Sequence, residues 1–310
     1  MHICKEIGNE NIAKVYIAQM PNGKFIEFVE SLQPPFTRAQ KWILIISVLY
    51  GCAVNCQMCD AGGFYFGKLS QDDILAQIDF LVARHFACNN ITTQHMKIQF
   101  ARMGEPAFNF SILDVLEILP NKYNAPGLIP SISSVAPQGC DGFFARLLNI
   151  KNKLYRNGKF QLQFSIHTTD ITKRDKLIPI KKWDFTQIAE FGREFYQKGD
   201  RKITLNFALA DAQDLDVATL KQFFTPELFL IKITPVNPTI TAQQNKITSY
   251  IKTSSHDDKL NLVNALKDAG FEVIISVGEL EENKIGSNCG QYIKKYLSEN
   301  EIVRGAYEYS

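Results

Sequence analysis

From Trp42 onward the chain alternates short apolar, β-rich runs with amphipathic stretches, and no other feature limits the possible fold so strongly. Strands are expected over Ile43–Tyr50, Lys97–Arg102, Leu128–Ser133, Gln161–Ile166, Lys202–Leu209, Phe229–Thr234 and Glu272–Val277. Helices are expected between them over Gln71–Ala87, Ile112–Leu119, Phe143–Lys153, Thr186–Lys198, Val217–Phe224 and Asp257–Ala269. Ser70 with Asp73 forms a capping-box signal for the first helix, and Gly199 and Gly270 stand where two helices should stop. Strands that read as near-continuous apolar runs and alternate with helices imply parallel βαβ units. Six or seven such units predict an α/β chain with a full or partial (β/α) barrel, whose active site is built from the loops that follow the strands. A motif directly after an expected strand therefore carries more weight than one elsewhere.

Before the barrel, Val15–Met20 and Lys24–Ser31 predict a β-hairpin around the turn signal Asn22-Gly23, and Pro34-Pro35 ends it. The chain has 310 residues, enough for one large or two modest domains. Its formal net charge of +2 is too mild to argue nucleic-acid binding from charge alone. No apolar run is long enough to span a bilayer, and Met1–Asn11 lacks the apolar stretch of a signal peptide. A cytoplasmic protein is expected, with no membrane association.

The seven cysteines are Cys4, Cys52, Cys56, Cys59, Cys88, Cys140 and Cys289. An odd count with three bunched together does not fit a secreted disulfide framework. Cys52, Cys56 and Cys59 have the spacing C-x3-C-x2-C and directly follow the first expected barrel strand. Three thiolates on one loop suit three corners of a 4Fe–4S cube and leave its fourth iron open to a small molecule. Apolar neighbours such as Val54 and Met58 would keep water away. The alternative is a structural zinc site with a distant fourth ligand, although no second ligand pair lies at zinc-finger spacing.

Further polar clusters fall at strand ends. Met103-Gly104-Glu105-Pro106 follows the second strand, with Asn109 three residues on. A glycine there permits close backbone approach, and a glutamate accepts hydrogen bonds from an ammonium; an ordinary turn is the plainer reading. Ser131–Pro137 closes the third strand and Ser165-Ile166-His167 the fourth, and a basic loop runs over Lys173–Ile180. Asn237-Pro238 follows the sixth. Near the C-terminus Cys289 lies among Ser287-Asn288 and Gly290-Gln291, either as an exposed nucleophile or as a small buried residue.

These segments, in order and approximate spacing from Val15 to Gln291, resemble the RlmN/Cfr family of radical S-adenosylmethionine (SAM) methyltransferases. The resemblance rests on Ile26-Glu27, the Cys52–Cys59 loop, Met103–Pro106 with Asn109, Ser131–Pro137, Ser165–His167 with Arg174-Asp175, Asn237-Pro238 and Cys289-Gly290-Gln291. It implies a partial (β/α)6-type radical SAM barrel with an N-terminal β-hairpin extension, a 4Fe–4S cluster on Cys52, Cys56 and Cys59, and SAM on its open iron. Gly104 and Glu105 would meet the SAM amino group, while Ser131, Ser165, Ile166, His167 and Asn237 would line the rest of the pocket. By the same resemblance Glu27 matches a proton acceptor. Cys289 matches the cysteine whose sulfur is methylated before its carbon is passed, as a radical, to an adenine of RNA. An electron donor such as flavodoxin or ferredoxin, and a monomer, are also expected.

Two departures stand out. The family's second, adduct-resolving cysteine falls by counting at Ile45, and the helical RNA-holding domain of the family is expected to be missing before the first hairpin strand. The expected division is an extension over 1–40, the barrel over 41–280 and a C-terminal segment over 281–310 that carries Cys289. The function expected is methyl transfer to an sp2 carbon of adenine in RNA. The alternatives are a radical SAM enzyme that modifies a small molecule or peptide, and a cluster-bearing protein without turnover.

Overall fold

Seven parallel strands form the expected frame in the computed structural model, which describes residues 1–253, 255–276, 282, 285–287, 292, 293 and 296. The N-terminal part is β1 (His2–Asn9), β2 (Ala13–Gln19) and β3 (Phe25–Ser31), three antiparallel strands rather than the expected hairpin of two. β1 escapes a reading by hydropathy because it is a largely exposed edge strand, HICKEIGN, with few apolar residues. β3 then pairs antiparallel with β4 (Lys41–Ile46), so the extension and the barrel share one sheet.

The expected first barrel strand ends at Ile46, and a short β5 (Leu49–Gly51) pairs with β6 (Tyr65–Lys68). From β4 the parallel order continues through β7 (His95–Phe100), β8 (Leu128–Ser134), β9 (Gln161–Ser165), β10 (Ile203–Leu209), β11 (Phe229–Pro235) and β12 (Glu272–Ile275). The helices are α1 (Gln71–His85), α2 (Ser111–Lys122), α3 (Asp141–Leu154), α4 (Ile171–Leu177), α5 (Phe185–Phe195), α6 (Val217–Phe223), α7 (Ile240–Gln244), α8 (Tyr250–Thr253) and α9 (His256–Asp268). Six strand–helix units closed by β12 make the partial barrel. The Ser70–Asp73 capping box is formed at α1, with the Asp73 N–H 3.1 Å from Ser70 Oγ. No helix among the described residues is long and apolar enough to cross a membrane.

The strands are not apolar on both faces. Ile132, Leu162, Phe164, Leu205 and Phe207 belong to the main core with the helices. The residues between them, Ser131, Ser133, Gln163 and Asn206, point by the two-residue period to the other face, the barrel lumen. A barrel that takes a ligand into its mouth needs polar groups there, which a fully packed barrel core would not carry.

The faces of the N-terminal sheet are covered by different elements. Tyr16 and Phe28 join the main core, where both rings touch Phe80 of α1. Val15, Ile17 and Val29 face a second cluster with Met103, Tyr292, Ile293 and Tyr296, against which Cys4 and Ile45 also pack.

Where β3 meets β4, Glu30 is a buried carboxylate with several partners. It accepts from Tyr16 Oη at 2.6 Å and Trp42 Nε1 at 2.9 Å, and His85 Nε2 lies 2.8 Å away. Burial alone would push the group up, but the contacts with His85, Tyr16 and Trp42 prevail and hold it at about 2. Its stabilising contribution is therefore present above its ordinary value of 4.5 and falls away as pH drops towards about 2. Glu30→Gln is expected to reduce folding stability by roughly 1.5–3 kcal/mol, read from the urea midpoint at unchanged slope. An unchanged midpoint would mean that the network contributes nothing.

Candidate functional site

The cysteine loop leaves the barrel just after β5, at the carboxyl end of the parallel strands. Cys52 N–H donates to Phe64 O at 3.0 Å, Cys59 N–H to Cys56 O at 3.1 Å and Gln57 N–H to Leu177 O at 3.0 Å. Asn55 within the loop has a positive φ of 58°, the left-handed conformation that asparagine adopts more readily than most residues. The residue after the last cysteine, Asp60, is 1% exposed. Its carboxylate accepts from the N–H groups of Ile240 and Thr241 and from Thr241 Oγ1, at 3.1, 2.8 and 2.7 Å. Thr239 Oγ1 donates to Met58 O at 2.9 Å and Asn245 Nδ2 to Gln57 O at 2.8 Å. The cysteine loop is thus tied to the loop after β11, close in sequence to Asn237.

Around the thiols lie Val54, Val135 and Ile178, with Phe108, Leu177 and Ile180 packed against them. Val54 was expected; Val135 and Ile178 come from the exits of β8 and β9, which only the fold brings here. Burial pushes the Cys52 thiol up to about 11, and the nearby Glu105 carboxylate adds to it. Cys56 is pushed further, by burial and by the neighbouring Cys59 and Cys52. Thiols in such surroundings ionise only when something binds the thiolates, and a metal centre does so. No group of three His, Cys, Asp or Glu side chains among the described residues stands at single-ion spacing.

Glu105, beyond β7, is buried at 4% exposure. Oε1 accepts from Ala107 N–H at 3.0 Å and from Ser134 Oγ; Oε2 accepts from Val135 N–H at 2.9 Å. Burial pushes its carboxyl up against the pull of these three donors. Gly104 has a φ of 102°, and a Cβ there would lie 2.4 Å from Leu49 Cγ. The glycine is thus required by its backbone and by packing against Leu49. Asn109 binds no open space either: Nδ2 donates to Val48 O and Leu69 O, both at 2.8 Å, and so braces the cysteine loop from below.

Ser131 is buried on β8, and Ser165 and Ile166 sit at the exit of β9. Ile166 and His167 both donate their N–H to Asn206 O, at 2.9 and 3.1 Å. His167 has a φ of 66°, and its Nδ1 accepts from Ala208 N–H at 3.1 Å. The expected basic loop is largely the helix α4, capped by Asp170, which accepts from Lys173 N–H at 3.0 Å. Its Arg174 is buried and donates to Trp183 O at 2.7 Å. Asp214 binds the loop after β9 to the loop after β10, its carbonyl accepting from Thr169 N–H at 2.7 Å and its carboxylate pairing with Lys173 Nζ at 3.0 Å. Three buried acceptors at the lumen or its rim, Ser133 Oγ, Asn206 Oδ1 and Asn237 Oδ1, have no hydrogen-bond partner among the described residues. Such groups are costly unless a ligand or water meets them. A groove of about 550 Å³ lined by Gln71, Asp114, Glu117, Ile118, Asn121 and Lys122 lies on α1 and α2 and holds none of these residues.

Glu27 lies elsewhere, on β3 in the N-terminal sheet, fully buried. Arg102 Nε is 2.8 Å from its Oε1, held by charge rather than by an aligned hydrogen bond. Its Oε2 accepts from Tyr292 N–H at 2.7 Å and Ile293 N–H at 2.9 Å. Burial pushes the carboxyl up, and Arg102 and the two N–H groups pull it down. Cys289, with Gly290 and Gln291, lies outside the described residues. Arg102, the ion-pair partner of Glu27, was not among the expected residues, although a charge closing an apolar run was a signal for it.

No family model matches the chain. A "Probable dual-specificity RNA methyltransferase RlmN" of Desulfitobacterium hafniense is 28% identical over 259 residues, 79% of this chain and 66% of the relative. The chain thus spans slightly less than two thirds of that relative's length. A protein of the same name from Dictyoglomus thermophilum is 23% identical over 306 residues, 94% of this chain and 79% of the relative. The crystal structure of a radical SAM methyltransferase from Sphaerobacter thermophilus superposes with a TM-score of 0.70 at 18% identity, covering 93% of this chain and 80% of that one. The fold is that of a radical SAM methyltransferase, and the chain is a homologue of proteins named RlmN.

One property of the rim is directly measurable. Burial, with the charge of Arg174 nearby, lowers His167 from 6.5 to about 4. The ring stays neutral through physiological pH. Below pH 6.5 the unfolded chain binds this proton first, so stability falls as pH drops from 6.5 to about 4. Ring-proton NMR titration should show a His167 midpoint near 4; a midpoint at 6.5 would place the ring in open solvent.

Proposed function

We propose that this protein is a radical SAM enzyme, an RlmN-like methyltransferase acting on an sp2 carbon of adenine in RNA. The observation that carries the reading is the C-x3-C-x2-C loop at the carboxyl end of the first parallel strand, beside the buried Glu105 and an apolar shell of Val54, Val135 and Ile178. The relatives named RlmN supply the reaction class and the RNA substrate.

The residues fit the groups that such chemistry needs. Cys52, Cys56 and Cys59 would hold three irons of a 4Fe–4S cluster and leave one for SAM. When bound, the cluster supplies the electron that splits the SAM sulfonium. Glu105 Oε2 accepts one hydrogen bond and keeps capacity for an ammonium N–H. Asn237 Oδ1, Asn206 Oδ1 and Ser133 Oγ offer acceptors for further donors in the mouth. Ser131, Ser165 and Ile166 would complete the SAM pocket, with a neutral His167 whose Nδ1 accepts from Ala208 and whose Nε2–H is left to donate. Cys289 would carry the methyl group. A flavodoxin or ferredoxin as donor, a cytoplasmic location and a monomer belong to the same proposal.

A second reading, a radical SAM enzyme that modifies a small molecule or peptide, is favoured by Ile45. The position of the resolving cysteine is held by an apolar side chain packed into the second cluster.

Anaerobically prepared protein should be brown and contain about four iron and four sulfide per chain, and replacing Cys52, Cys56 and Cys59 together by Ala should abolish this. One bound zinc instead would refute the cluster assignment. Given SAM, a reductant and ribosomal or transfer RNA fragments, the enzyme should release 5′-deoxyadenosine and yield methyladenine in digested RNA. Formation of 5′-deoxyadenosine with no methylated RNA would shift the assignment to the second reading.

A further inference from the structure

The ion pair Glu27–Arg102 is buried between the N-terminal sheet and the exit of β7. Both of its side chains also reach backbone groups of the C-terminal segment. Arg102 Nη1 donates to Ser287 O and Nη2 to Gly286 O, both at 2.9 Å. Glu27 Oε2 accepts the N–H groups of Tyr292 and Ile293 at 2.7 and 2.9 Å. A guanidinium fork therefore grips two carbonyls before residues 288–291, and a carboxylate grips two amides after them. Cys289 lies between the two grips in sequence.

The base of this segment is held in other ways too. Tyr292 Oη donates to Ile285 O, and Ser287 N–H and Oγ both donate to Glu282 O, at 3.1 and 3.0 Å. Tyr292 and Ile293 are buried with Val15, Ile17, Val29 and Met103. Two charges at 1% and 0% side-chain exposure carry a large desolvation cost. Here that cost is offset by their mutual attraction and four charge-assisted hydrogen bonds to one short stretch of chain. A core needing only cohesion would place apolar side chains at such positions.

Arg102 also stands three residues before Glu105. The intervening Met103 O accepts from Val48 N–H at 2.9 Å and Leu49 N–H at 3.0 Å, which fixes the exit of β7 just ahead of the cysteine loop. One short stretch thus reaches the C-terminal segment through Arg102 and the cluster side through Glu105.

We propose that Glu27 and Arg102 are positioning residues that clamp the chain on either side of residues 288–291, at Gly286–Ser287 and Tyr292–Ile293, to the exit of β7. This rests on the reading of Cys289 as the methyl-carrying cysteine. In this arrangement Glu27 Oε2 is an anchor for backbone.

The test uses the full-length, cluster-loaded protein and Arg102→Met, with Arg102→Lys and Glu27→Gln beside it. Iodoacetamide labelling of Cys289 is followed by peptide mass spectrometry, with the exposed Cys88 as internal reference. In Arg102→Met the Cys289 labelling rate should rise about tenfold or more, as loss of buried charge-assisted hydrogen bonds favours local opening. Iron content and uncoupled 5′-deoxyadenosine release should stay unchanged, while methyl occupancy of Cys289 after incubation with SAM falls. Arg102→Lys, which keeps the charge but not the fork, should fall between the two. Glu27→Gln, nearly isosteric, should raise labelling in the same direction and decides the matter if Arg102→Met loses its cluster. Unchanged Cys289 labelling in an iron-replete variant overturns the clamp. Absence of a methyl group on wild-type Cys289 would instead defeat the methyl-transfer reading and leave the labelling comparison intact.

Discussion

Parallel strands deliver all their outgoing loops to one rim, and loops there have no ladder to hold them. In this protein buried acids take that task. Asp60 holds the cysteine loop against the start of α7, Glu105 joins the exits of β7 and β8, and Asp214 joins the exits of β9 and β10. Glu27, with Arg102, holds the C-terminal segment against the N-terminal sheet. In each case the carboxylate or its own backbone receives N–H or O–H groups that a loop would otherwise leave unpaired. The rim is built by satisfying its backbone, and the functional side chains inherit their positions from that.

This explains why several residues that look chemical turn out to be braces. Asn109 carries two carbonyls from separate loops, and Gly104 answers to Leu49 and to its own backbone angle. Polar residues at the mouth with no such work are the ones available to a ligand. Asn237, Asn206 and Ser133 each keep a buried acceptor atom without a partner among the described residues, and all three lie in the lumen or at its rim. The distinction follows from whether a buried polar atom is satisfied, which the residue type alone cannot reveal.

The order of the barrel elements was legible because each is a local pattern: apolar runs for β7 to β12, amphipathic stretches for α1 to α3, α5, α6 and α9. The cysteine loop was legible because its spacing and its place after a strand are both linear in sequence. β1 was hidden by its exposure, and α4 by the charges of ITKRDKL, which read as a loop until Asp170 caps it. The polar lumen was obscured because outward apolar residues dominate the same strands. Val135 and Ile178 reach the thiols only through tertiary folding, so no linear motif could name them. The pairing of Glu27 with Arg102 spans 75 positions and two parts of the sheet, and neither partner's role could be read without the other.

That pairing changes how the N-terminal strands should be understood. They continue the barrel sheet through β3 and β4, and their second face is a seat for Tyr292, Ile293 and Tyr296. Ile45, which by the resemblance stands at the resolving-cysteine position, belongs to the same seat and packs on the cluster of Tyr292, Ile293 and Tyr296. An apolar residue there adds cohesion where a thiol would add reactivity. The N-terminal strands, the exit of β7 and the described part of the C-terminal segment thus form one wall, which the buried Glu27–Arg102 pair helps to join. On the proposed role of Cys289, its chemistry would depend on residues at both ends of the chain as much as on the barrel between them.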